Sequence, residues 1–203
     1  MSNMRTTVRT AGVAVRAMLV LTVVLGLGYT LLVTGVGQLA FSWQANGSAV
    51  RDNADRIVGS ALIGQSWTNG EGAPLRDYFQ SRPSAAGAGY DGAASSGSNL
   101  GPENDDLIAS IEQRRAAVAA FEGVDPAEIP ADAVTASASG LDPHVSPEYA
   151  LLQVARVAAV RGLAEADVRA LVQQHIQPPD LGYLGQARVN VLELNLALDA
   201  LSR

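Results

Sequence analysis

The chain has 203 residues, a net charge of −6, no cysteine, and 14 basic residues that are all arginine. Without lysine there can be no Walker-type phosphate loop, Schiff base or Asp-Lys-Thr-Gly phosphorylation motif, and without cysteine no disulfide, thiol nucleophile or thiolate metal site. The two histidines, His144 and His175, are too few for a multi-histidine metal centre.

Ala17 to Phe41 contains no charged residue. At ~1.5 Å of rise per residue this block exceeds a ~30 Å hydrocarbon core. It is also longer than the apolar region of about 7–15 residues in a cleaved signal peptide. One retained membrane helix is predicted over 17–41, with a short N-terminus over 1–16 and a single domain over 42–203. Phe41 and Trp43 then fall at a membrane interface, where amphipathic rings are favoured. Arg5, Arg9 and Arg16 precede the helix with no acid among them, while Arg51 and Arg56 after it are balanced by Asp52 and Asp55. Positive flanks stay inside, so the N-terminus is expected in the cytoplasm and the domain outside. Of the net −6, the three leading arginines contribute +3, which leaves residues 42–203 at −9. Such a domain is a poor partner for nucleic acid and a natural attractor of cations.

Within the domain, the apolar, glycine-punctuated run from Ile57 to Trp67 reads as a strand or extended segment, and a second short element covers Leu75 to Gln80. Ser84 to Pro102, rich in Gly, Ala and Ser, reads as a long loop. A first domain helix is predicted from Asp105 to Glu122, between an Asn104 N-cap and a Gly123 stop, with Leu107, Ile108, Ile111, Val118 and Phe121 as its inner stripe. A strand-like segment, Ala133 to Ala138, follows the breaks at Pro126 and Pro130. The next helix has Ser146 as N-cap, Pro147 at its first position and Gly162 past its end. A third spans Glu165 to Ile176, with Val168, Leu171, Val172 and His175 on one face and Pro178-Pro179 after it. The last covers Ala187 to Leu201, with Val191, Leu194, Leu198 and Leu201 as its stripe. Helices with isolated short strands in this order indicate an α+β domain.

Few motifs carry chemistry. Gly87-Ala88-Gly89-Tyr90-Asp91-Gly92 fits Gly-x-Gly-x-x-Gly but lies inside a flexible loop, without the strand and helix that a dinucleotide site needs. Ser137, Ser139, Asp142 and His144 crowd together and suggest an exported hydrolase. A catalytic triad, however, is assembled from separated elements, and no Gly-x-Ser-x-Gly elbow is present. Turn-forming polar residues ahead of Pro147 are the simpler reading.

Longer runs are more specific. They include Gly59-Ser60-Ala61-Leu62-Ile63-Gly64-Gln65, Tyr78-Phe79-Gln80-Ser81-Arg82-Pro83-Ser84-Ala85 and Ser96-Gly97-Ser98-Asn99-Leu100-Gly101-Pro102. Val134 through Ser146, Gln153, Arg156-Val157-Ala158, Gly185, and Arg188-Val189-Asn190-Val191-Leu192 follow, and Leu194 through Asp199 closes the series. In this order they resemble the C subunit of the bacterial Kdp potassium-transporting P-type ATPase, over nearly the whole chain. The resemblance implies a non-catalytic accessory subunit in the bacterial cytoplasmic membrane. It also implies three partners: a channel-like potassium-binding subunit, a P-type ATPase subunit and a very small peptide subunit. ATP and potassium then belong to the complex, and this chain is expected to hold neither as its own cofactor. An alternative role known for the family is a catalytic chaperone that raises the ATP affinity of the ATPase subunit. The resemblance marks Arg82, Ser98, Asn99, Ser137, Ser139, Asp142, His144, Gln153, Arg156, Arg188 and Asn190 as partner-contacting or nucleotide-linked.

Overall fold

The computed structural model describes residues 2–201, with side chains from Thr6 onward, so Arg5 of the charge argument lies outside the described side chains. It divides into two units, 1–48 and 49–203. The first unit is helical. Helix α1 (Ser2–Leu21) runs through a π-helical stretch, Thr22–Tyr29, into α2 (Thr30–Ala40), and a short α3 (Ser42–Ala45) follows. Helical geometry thus begins well before Ala17, and Phe41 leaves it at φ −137. The 35 residues Thr6–Ala40 are long and apolar enough to cross a membrane. Leu19, Leu27 and Leu31 are all exposed, as side chains facing lipid would be.

The second unit is a mixed α/β domain. Strands β1 (Ala49–Arg51) and β2 (Ile57–Ser60) pair antiparallel, with Ala49 opposite Ser60. The expected extended run to Trp67 therefore stops at Ser60, where Ile63 N–H donates back to Ser60 O and turns the chain. Helix α4 (Asp105–Glu122) has the predicted limits. Asn104 accepts from the N–H groups of Asp106 and Leu107, and Gly123 closes the helix in the left-handed region at φ 75. Its stripe differs from the predicted one: Ile108 is exposed and Ala119 is the buried contact.

The remaining elements are β3 (His144–Val145), α5 (Pro147–Leu152), α6 (Val154–Arg161), α7 (Glu165–Gln174), β4 (Ile176–Gln177), β5 (Arg188–Asn190) and α8 (Val191–Leu201). The three strands form an antiparallel sheet in the order β3-β5-β4. Helices α5 to α8 pack around a core of Tyr149, Val154, Val157, Val168, Val172, Val189, Leu194 and Leu198, joined by Phe79. Leu201 of the predicted stripe is exposed.

Three predicted helices are shorter or divided. The helix after Ser146 breaks at Gln153, whose side chain turns inward to bond the backbone of Gln80. The next ends at Gln174, because Ile176 and Gln177 pair with β5. The last begins at Val191 rather than Ala187, because Asn190 accepts the Glu193 N–H and acts as its cap, leaving 188–190 free to form the central strand.

Two predicted extended segments are not strands. Ala133 to Ala138 starts in the 3₁₀ turn Ala131–Ala133 and continues as turns and bends. Its carbonyls are taken by arginines instead of a ladder: Arg114 donates to Val134 O, and Arg82 to Thr135 O. Leu75 to Gln80 has no regular structure, yet Phe79 is fully buried. Buried peptide groups must find partners, and here side chains supply them. Phe79 exchanges two bonds with the Asn195 amide, at 2.9 and 3.0 Å, and Gln80 two with the Gln153 amide, at 2.6 and 3.1 Å. Arg156 donates to Arg76 O and Tyr78 O, and Arg161 to Asp77 O. These side chains stand in for a neighbouring strand.

Ser146 caps α5 by accepting the Tyr149 N–H at 3.0 Å, while its own N–H and hydroxyl donate to Asp132. Ser146→Ala should therefore cost about 1 kcal/mol of stability, read as a lower denaturation midpoint. An unchanged midpoint would show that the cap contributes nothing.

Candidate functional site

The family-marked residues fall into three groups. Arg82, Asp142, His144 and Arg188 line one cleft of about 490 Å³, together with Asp132, Ser146 and the 185–187 backbone. Asp142 is its hub. The carboxylate accepts from Arg82 Nη1 at 3.0 Å and from the His144 N–H at 3.0 Å, and lies 3.4 Å from His144 Nδ1. Burial pushes this carboxyl up, but the bonds from His144 and the charge of Arg82 outweigh it and hold it below the usual carboxylate range. Arg82 also donates to Thr135 O, so its guanidinium links the start of the long loop to the turn before β3. Arg188 lies 3.5 Å from Asp180.

Ser137 and Ser139 occupy the turn ahead of Asp142 and border a shallow cleft with Leu62 and Ile63. Their hydroxyls lie 3.5 Å apart, and Ser139 Oγ accepts the Leu141 N–H. Neither is hydrogen-bonded to His144, so the cluster is built as a turn and not as a nucleophile with its base. The long loop 84–102 closes on this turn. Ser96 N–H and Ser95 Oγ both donate to Ser139 O, and Ser84 Oγ donates to Gly140 O. Gly140 sits at φ +67, and a Cβ there would meet Ser96 O at 2.6 Å and Ala86 N at 2.7 Å. Only glycine permits that approach. Farther along the loop, Ser98 and Asn99 are exposed, with Asn99 at φ 55.

Gln153, Arg156 and Asn190 are buried. Asn190 Nδ2 donates to Ala61 O and ties the central strand to the β2 region. Arg156 pairs with Glu122 at 2.8 Å, both side chains 1% exposed, and lies 4.6 Å over the Phe121 ring. It also donates to Gln153 Oε1 at 2.9 Å. Burial pushes the Glu122 carboxyl up, with the Arg156 guanidinium opposing the shift. Burial likewise raises Tyr90, to about 12, so this phenol stays protonated and donates to Arg82 O.

Sequence reasoning missed Glu122, Asn195 and Tyr90. Asn195 left a signal, since an amide inside the apolar run Leu194 to Leu198 must find a buried partner. Glu122 left none, because its partner lies 34 residues away. The Gly87–Gly92 pattern is a turn with no strand or helix beside it.

Residues 11–200 match the family model described as the c chain of the K+-transporting ATPase. The potassium-transporting ATPase KdpC subunit of Caulobacter vibrioides is 57% identical over 180 residues, covering 88% of this chain and 87% of that protein. The subunit of the same name from Kineococcus radiotolerans is 54% identical over 190 residues, 94% of this chain and 93% of the relative. That of Beijerinckia indica is 50% identical over 184 residues, 91% and 90% of the two chains. The apolar helix, the α/β domain and these matches along most of the length agree: the chain belongs to the KdpC family, the c chain of the K+-transporting ATPase.

Proposed function

We propose that the chain is a non-catalytic accessory subunit of an ATP-driven, high-affinity potassium uptake complex. Its domain stands outside the bacterial cytoplasmic membrane, stabilises the assembly and caps the potassium entrance. The proposed partners are a channel-like potassium-binding subunit, a P-type ATPase subunit and a very small peptide subunit, with ATP and potassium handled at the level of the complex. The observation that carries the reading is the internal use of Gln153 and Arg156. Gln153 is 0% exposed, and its amide is spent on Gln80 and Arg156. That arrangement suits a framework residue and leaves neither amide atom exposed to nucleotide, which weighs against the chaperone alternative. What remains on the surface is charge, −9 over residues 42–203, which enriches cations near an entrance.

The helix start at Asp105 and Asp106 offers a test, since both acids are exposed. Replacing both with asparagine should raise the apparent KM for potassium about twofold at low ionic strength, and less at 0.1 M salt, where screening acts over ~10 Å. Maximal ATPase turnover should hold. An unchanged KM in a folded, assembled variant would remove the field from the uptake mechanism. Because both acids also favour the α4 dipole, helicity is checked first.

A further inference from the structure

A cleft of about 470 Å³ between the chain at 72–83 and helix α4 is lined by two arginines, Arg82 and Arg114, and by no carboxylate. That is unexpected in a domain where residues 42–203 carry −9. The two arginines differ. Arg82 is neutralised by Asp142 at 3.0 Å. Half-buried Arg114 forms no ion pair among the described residues, and its one hydrogen bond among them runs from Nη1 to Val134 O at 3.1 Å. Its Nε and Nη2 donors are therefore unspent. Tyr149 adds a second polar group to the wall. It is 3% exposed, and its N–H bonds Ser146, but its hydroxyl engages no hydrogen bond among the described residues. Burial pushes this phenol up, so it stays protonated and able to donate. Pro74, Val118 and Phe121 make the apolar part of the lining. A partly desolvated cation without a counter-charge is costly, and a buried phenol normally finds an acceptor. A carboxylate answers both needs.

We propose that this cleft binds a small organic monocarboxylate with an apolar body. The carboxylate pairs with Arg114, the Tyr149 hydroxyl supplies a second donor from the wall, and the body packs against Val118 and Phe121. Size and charge select this class. The volume falls within the ~300–1,000 Å³ of small-molecule sites. An inorganic anion would leave the apolar wall unused, and a neutral apolar molecule would leave Arg114 without a counter-charge. A nucleoside triphosphate would bring several negative charges to a single unpaired guanidinium. The proposal uses only residues of the domain, so it stands or falls apart from the inlet reading and from the orientation in the membrane.

The probe is phenylacetate, titrated into the isotope-labelled full-length chain in micelles of a neutral detergent and read by NMR. The Arg114 Nε–H signal, assigned by its loss in Arg114→Gln, should shift and saturate with a Kd of about 1 mM or tighter. Acetate keeps only the charge and phenethyl alcohol only the ring, and each should bind at least about tenfold more weakly. Read at the Val118 amide, Arg114→Gln should weaken phenylacetate about tenfold and Tyr149→Phe about threefold. Tyr149→Phe removes an unbonded hydroxyl and should melt no lower than the parent, so its weaker binding cannot come from unfolding. Shifts that never saturate, equal binding of acetate or phenethyl alcohol, or an unaltered affinity in Arg114→Gln would overturn the proposal. So would saturation by ATP at lower concentration than by phenylacetate, which would assign the cleft to nucleotide.

Discussion

Arg156→Ala should be the most damaging substitution in the domain. The guanidinium and its Glu122 partner are each 1% exposed, and the same arginine serves Gln153, Arg76 O and Tyr78 O. Removing it strands a buried carboxylate and several acceptors together. Breaking a buried pair from one side costs about 3–5 kcal/mol, against a total stability of ~5–15 kcal/mol. At roughly 2–4 °C per kcal/mol for a domain of this size, the melting temperature should fall on the order of 10 °C.

The pH dependence separates charge from packing. Burial already pushes the Glu122 carboxyl up, and Arg156 is the chief opposing influence. In Arg156→Ala the folded state should bind that proton more readily than the unfolded chain. Stability is then gained as pH falls through the raised titration of Glu122, so the deficit should shrink in acid. Adding Glu122→Gln should recover part of it at neutral pH. A deficit that is the same at every pH, and is not relieved by Glu122→Gln, would assign the loss to packing over Phe121 and to the freed carbonyls.

The same network explains what the sequence could and could not reveal. Helix α4 was legible at both ends, because Asn104 and Gly123 act on backbone within a turn of themselves. The start of α5 was legible for the same reason, through Ser146 and Pro147. The chain from Leu75 to Gln80 was not. Its peptide groups are satisfied by Asn195 and Gln153, 116 and 73 residues away in sequence, and no local pattern records that. Ala133 to Ala138 misled in a similar way, because its strand-like composition is held by Arg82 and Arg114. The start of the last helix was misplaced because Val189 and Val191 continue one apolar pattern across a strand and a helix, and only the Asn190 cap divides them.

Among the candidate residues, motif order identified the family, but not what each side chain does. Asp142 and His144 are two residues apart, and their contact could have been guessed. Arg82, which completes that cluster from 60 residues away, could not. Gln153, associated through the family with nucleotide, lies inside the fold, while Leu181 and Tyr183, which no motif singled out, are the most exposed bulky apolar side chains of the domain among the described residues.

The side of the membrane on which the domain lies separates the inlet-capping role from direct contact with ATP, and the outcome is all-or-none. The proposed orientation, argued from the arginine flank before the helix and the balanced charges after it, has residues 42–203 outside. Ser95 is exposed, and the chain carries no other thiol once Ser95→Cys is made. A membrane-impermeant maleimide should label this cysteine as fully in cells with an intact inner membrane as after lysis. Labelling that appears only after lysis would put the domain in the cytoplasm and contradict its place at the potassium entrance.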